Sequence, residues 1–121
     1  MSTAEIASRL VAFCRRGDYE AAHKELYADD AVSIEPDSTP ETTVRGHAGL
    51  AEKSKMFADT FEVHGGSVSD PVVAGNFFSC AMTADVMEKK SGARLKLEEI
   101  CLYEVRDGKI VREQFFFQPK D

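Results

Sequence analysis

Three glutamates stand where a carboxylate would do chemistry. Side chains alternate along the extended stretch from Arg94 to Phe117. Leu95, Leu97, Glu99, Cys101, Tyr103 and Val105 therefore share one face, and Glu113, Phe115 and Phe117 share one face of the next segment. If those faces are buried, two carboxylates lie inside an apolar wall. A buried glutamate without partners is costly, so each must pair, accept hydrogen bonds or stay protonated. Two such groups close together push their protonation states apart, which yields an acid and a base. The structural alternative is a glutamate that accepts from a tyrosine hydroxyl or a backbone group. Glu35 is the third, at the end of a short strand-like stretch, with Pro36 biasing it towards extended backbone. Its plain alternative is a solvated loop-edge residue.

The elements that must hold these groups are legible around them. Arg106-Asp107-Gly108-Lys109 between alternating apolar runs predicts a hairpin, because Gly tolerates positive φ. Strands are predicted over residues 67–73, 77–88, 94–105 and 110–118. The turns between them fall at Ala74-Gly75-Asn76, Lys89-Lys90-Ser91-Gly92 and Arg106-Asp107-Gly108. Upstream, Ser2-Thr-Ala-Glu5 forms a capping box for a helix with an Ile6, Leu10, Phe13, Cys14 stripe ending at Gly17. Asp18 is placed to cap a second helix, roughly Tyr19 to Leu26. A short strand follows over 31–35, then a polar loop over 36–45. A third helix runs from about His47 to Phe61, and Gly65-Gly66 is expected to break the pattern. Helices first and an antiparallel meander afterwards indicate an α+β fold in one domain, residues 1–121. Three helices cannot cover both faces of long strands. Phe78, Ile100, Leu102 and Phe116 are expected on the uncovered face, where a second copy packing sheet to sheet would bury them.

Composition narrows the partners. The chain has 121 residues, 43% hydrophobic and 30% charged, with a net charge of −6. No basic stripe is present, so neither nucleic acid nor an anionic membrane is an expected partner. Cys14, Cys80 and Cys101 are odd in number and widely spaced, which is neither a disulfide framework nor a zinc site. His23, His47 and His64 lack metal-ligand spacing, and no cofactor motif appears; neither metal nor cofactor is expected. No apolar run approaches about 18 residues and the N-terminus is a charged helix, so cytoplasm is the expected location.

Three motifs in order resemble the nuclear transport factor 2-like superfamily, in its SnoaL-like and ketosteroid-isomerase-like branch. Gly17-Asp18 with Tyr27-Ala-Asp-Asp-Ala31 resembles its helix pair leading into the first strand. Val44-Arg-Gly-His-Ala-Gly-Leu50 resembles the start of its third helix, and Tyr103 with Gly108-Lys-Ile110 its terminal hairpin. The resemblance implies a cone in which a curved antiparallel sheet wraps three helices around an apolar cavity, usually in a dimer. It also implies a function somewhere among isomerases, cyclases, dehydratases and binding modules.

The same resemblance places Glu35 at the general-base position, at a cavity mouth where desolvation would raise its pKa. It withholds the rest of the isomerase. The oxyanion hole of that enzyme is a Tyr and a protonated Asp, and Leu10 and Cys101 hold those two positions here. Losing one such donor costs roughly 10²–10³ in rate, so steroid-type isomerisation is not expected. An epoxide-hydrolase-like reading needs an inward arginine, and Arg94, Arg106 and Arg112 fall on the opposite parity or in the turn. The expected catalytic set is Glu35, Glu99 and Glu113. The expected lining of an apolar small-molecule pocket is Leu10, Tyr27, Phe57, Cys101, Tyr103, Phe115 and Phe117. Enzyme, ligand binder and dimeric interaction module all remain open at this level.

Overall fold

The computed structural model describes residues 1–37 and 39–118. Ser38, in the loop expected over 36–45, lies outside the described residues. Helix α1 (Thr3–Arg15) starts as its sequence dictates. Ser2 Oγ accepts from the Glu5 N–H and the Glu5 carboxylate accepts from the Ser2 N–H, each at 3.1 Å. Its buried stripe is Ile6, Ala7, Leu10, Val11 and Cys14. Helix α2 (Tyr19–Leu26) begins at Asp18, whose side chain makes no capping bond. Helix α3 (Gly46–Thr60) buries Leu50.

Seven strands among the described residues form one sheet in the order β2-β1-β7-β6-β5-β3, with β4 also on β5. They are β1 (Tyr27–Ile34), β2 (Val44–Arg45), β3 (Phe61–Val68), β4 (Val72–Ala74), β5 (Phe77–Glu88), β6 (Arg94–Arg106) and β7 (Lys109–Phe116). The hairpin turn is as read: Asp107 and Gly108 both take positive φ, 53° and 75°. The curved, open sheet folds around the helices, giving the α+β cone that the motifs implied.

Four expectations are corrected. First, β1 starts at Tyr27 rather than Ala31, and it joins the sheet parallel to β7, with Ser33 opposite Glu113. Parallel pairing needs a long crossover, here supplied by nearly the whole chain, so no local signal announces it. Second, Gly65-Gly66 does not break the chain; both lie inside β3, beside a register shift between Val63 and Gly65. A Cβ on Gly66 would stand 2.4 Å from the Thr83 carbonyl oxygen, so glycine is what lets β3 approach β5. Third, the strand expected over 67–73 is two strands, the end of β3 and then β4. Fourth, Phe78 faces inwards. It stands opposite Tyr103 in the ladder and stacks on it with ring centroids 4.7 Å apart. A one-residue error in phase turns a strand residue to the other face. Ile100, Leu102 and Phe116 do face outwards and are exposed, and Phe77 joins them.

Candidate functional site

The β1–β7 pairing carries the site. It sets Ser33 beside Glu113 on the inner face, and Tyr27, the first residue of β1, reaches the same carboxylate. Tyr27 Oη donates to Glu113 Oε1, and Ser33 Oγ donates to Oε2 at 2.6 Å. From α3, Lys53 Nζ donates to Ser33 Oγ at 2.9 Å, forms an ion pair with Glu35 and lies 4.2 Å over the Phe115 ring. A lysine ammonium can only donate, so Ser33 accepts from Lys53 and must send its own proton to Glu113. The result is a directed chain, Glu35–Lys53–Ser33–Glu113–Tyr27, running from a half-buried edge into the core.

Burial sets the electrostatics around that chain. Burial first, and the Glu113 carboxylate second, push Tyr27 well above its ordinary phenol value, so it keeps its proton and remains a donor. The buried Tyr103 is raised in the same way. Cys101 is pushed up by the Cys80 thiol beside it and by burial, which makes it an inert thiol. His23 packs edge-on against Tyr27, with ring centroids 4.8 Å apart, and burial lowers its pKa. Among the described residues Glu99 forms no ion pair; its partner is the Cys101 thiol, a weak donor, with Sγ–Oε1 at 3.7 Å. Desolvation raises its pKa above the ordinary 4.5.

That shift has a sign. The fold favours the protonated acid, so the contribution of Glu99 to stability is complete below about pH 4.5 and is lost as pH rises through its folded value. Glu99→Gln is therefore expected to melt above wild type at pH 7, with the two melts converging at pH 4. An equal offset at both pH values would show that the carboxylate bears no desolvation penalty.

The expected site residues separate into two groups. Glu35 and Glu113 belong to one network, joined through Lys53 and Ser33, whereas Glu99 stands apart with Cys101. Leu10, Tyr27, Cys101 and Tyr103 lie in the packed core at 0–4% exposure, so they do not line an open pocket. Phe115 is partly buried against that core, whereas Phe57 and Phe117 are 39% and 44% exposed. Lys53 and Ser33 escaped the sequence reading. The available signal was helical spacing, since Lys53 follows the buried Leu50 by three residues and precedes Phe57 by four, all on one face of α3. Among the described residues no cluster of three or more His, Cys, Asp or Glu side chains is placed to hold a metal, and no helix is long and apolar enough to cross a membrane.

Comparison with known proteins identifies the fold. The sequence profile of the SnoaL-like domain matches residues 1–117. The chain is similar to the crystal structure of a proposed SnoaL-like polyketide cyclase from Mesorhizobium loti, at 37% identity and a TM-score of 0.90, covering 97% of this chain and 100% of that one. At lower identity it shares its fold with a proposed isomerase from Bacillus subtilis (21%, TM-score 0.74, 98% and 91% covered). It also shares it with a ketosteroid isomerase-like protein from Catenulispora acidiphila solved with trimethylamine (16%, TM-score 0.73, 93% and 85% covered). A comparison with curated proteins finds no match.

Proposed function

Because this chain belongs to the SnoaL-like domain family, its profile match spanning residues 1–117, we propose that it is a small-molecule enzyme working by acid–base chemistry at the open end of its cone. The observation that carries this reading is the polar chain from Glu35 through Lys53 and Ser33 to Glu113. Its substrate class is an apolar compound bearing a carbonyl. Phe57, Phe115 and Phe117 offer the apolar surface, and Lys53 offers a cation to the oxygen. Glu35 removes a proton from the carbon next to the carbonyl, and the C–H electron pair moves onto the oxygen as an enolate. The Lys53 ammonium holds that oxyanion in place of the donors that Leu10 and Cys101 do not supply. Glu35 then returns its proton to a second carbon or to a departing oxygen, giving isomerisation, cyclisation or dehydration. Ser33, fixed by Glu113, orients Lys53. Glu99 is the second candidate acid, since burial favours its protonated form.

The test is to incubate the protein with a panel of apolar ketones in D2O and follow the spectra. Deuterium uptake at the α-carbon, or rearrangement, is the expected result. Saturable binding of a ketone that stays unchanged selects the second reading, a non-catalytic binder, which the aromatic open end also supports. Neither binding nor exchange would sink both readings.

The outer face of the sheet is proposed to pair with a second copy. Phe77, Ile100, Leu102 and Phe116 are 37–56% exposed there, and Ile100 and Phe116 are opposite each other in the β6–β7 ladder. Light scattering is expected to return twice the chain mass, and Ile100→Lys to return it to one. A reducing cytoplasm suits the three free, buried thiols.

A further inference from the structure

We infer that the β2–β1–β7 end of the outer face, beside the β7–β6–β5 surface proposed to pair with a second copy, carries a second site, distinct from the inner polar chain, for a small carboxylate with an apolar body. A hollow of about 340 Å³ opens there, lined by Val32, Ile34, Pro40, Thr43, Arg45, Arg112 and Gln114. Its position follows from strand parity. Ser33 and Glu113 point inwards, so their neighbours Val32, Ile34, Arg112 and Gln114 point outwards on the same two strands. Val32 is the register partner of Arg45 on β2 and of Arg112 on β7. The two arginines thus stand in one row on either side of Val32, their backbones about 10 Å apart across two strand spacings.

Both arginines are exposed, and among the described residues neither meets a carboxylate within ion-pair distance. Glu104 stands opposite Arg112 on β6 but pairs with Arg106 at 3.0 Å. Arg112 is held instead by Gln114, donating to its Oε1 at 3.2 Å, which fixes the guanidinium at the edge of the hollow. On the other side, Thr43 Oγ1 donates to the Thr39 carbonyl at 2.8 Å and steadies the rim.

In a chain of net charge −6, two uncompensated guanidiniums flanking an apolar floor are a local exception. Arg presents a planar fork that matches a carboxylate or phosphate. The floor of Val32, Ile34 and Pro40 adds what a bare inorganic anion does not use, and this favours an organic acid of aromatic or branched aliphatic body. The volume fits a ligand at the small end of the usual range for such sites.

The test is a titration of the ¹⁵N-labelled protein with sodium benzoate at low ionic strength, beside parallel titrations with acetate and inorganic phosphate. Saturable benzoate shifts at Ile34, Arg45 and Arg112 are expected, with acetate and phosphate weaker. Arg45→Gln and Arg112→Gln should each weaken benzoate roughly ten-fold, the scale of one charge-assisted hydrogen bond. Lys53→Met should leave the affinity unchanged. Any of four results overturns the inference: no saturation at high millimolar benzoate, phosphate or acetate binding as tightly, shifts confined to the Lys53–Phe115 neighbourhood, or arginine variants that change only the oligomeric state. The last result would give the hollow to a second copy of the chain.

Discussion

Replacing Lys53 by methionine is expected to lower turnover of a carbonyl substrate about 10²–10³-fold, the scale of losing one oxyanion donor. Methionine keeps an unbranched apolar stem over Phe115 and removes the charge alone. The stability cost should be small, because the Lys53–Glu35 pair is partly exposed, at 30% and 25% for the two side chains, and such pairs contribute only about 0–1 kcal/mol. The kinetic form of the loss is diagnostic. A cation that stabilises only the developing enolate lowers kcat and leaves KM nearly unchanged, whereas one that merely holds the substrate raises KM. Glu35→Gln should abolish exchange of the α-proton altogether, since the amide cannot accept it. If both variants exchange protons at the wild-type rate, Glu35 and Lys53 are not the base and the oxyanion holder.

Much of the frame that holds these groups could be read from the chain alone, and the reason is locality. Asp107-Gly108 set a two-residue turn, and the turn then set Arg106 opposite Lys109 and Val105 opposite Ile110. A register shift between Glu104 and Val105, which nothing local announces, is what brings Tyr103 opposite Glu113 and Cys101 opposite Phe115. The capping box at Ser2 and the stripe on α1 are equally local. What stayed hidden depends on contacts between distant positions. Tyr27 and Glu113 are 86 residues apart and meet through a parallel pairing that has no turn to mark it. The turn before Phe78, expected over Ala74-Gly75-Asn76, is only Gly75-Asn76, because Ala74 already pairs with Phe77, and Phe78 then takes the inner face. Gly66 looked like a breaker, since its use depends on the approach of Thr83 from another strand.

The site divides along the same line. Inward carboxylates were visible from parity, but the partners that decide what they do were not. Glu35 was expected as a desolvated base at a cavity mouth; it is half-buried and paired with a lysine from α3. The wall residues Leu10, Cys101 and Tyr103 were expected to line a pocket, and tight packing makes them core instead. Phe115 packs against that core with Lys53 above its ring, while Phe57 and Phe117 are exposed. Under the proposed function, the reacting position therefore lies with Glu35 and Lys53 rather than with Leu10 and Cys101.

Glu113→Leu is expected to be the most destabilising change in the site. Tyr27 and Ser33 are 4% and 0% exposed, and both donate to this one carboxylate. Removing it leaves two buried hydroxyl protons without an acceptor, at about 1–3 kcal/mol each. Ser33 cannot simply reverse, because Lys53 already donates to its oxygen. Against a typical total stability of about 5–15 kcal/mol, that loss should lower Tm by about 10 °C or more. Glu113→Gln should cost less, since one amide oxygen still accepts. Adding Tyr27→Phe to Glu113→Leu should recover part of the loss, because the phenol that lacked an acceptor is then gone. Thermal melts of the two single variants and the double close the cycle. Strict additivity, or an unchanged Tm for Glu113→Leu, would mean that Glu113 does not anchor the buried end of the chain and that Ser33 holds Lys53 without it.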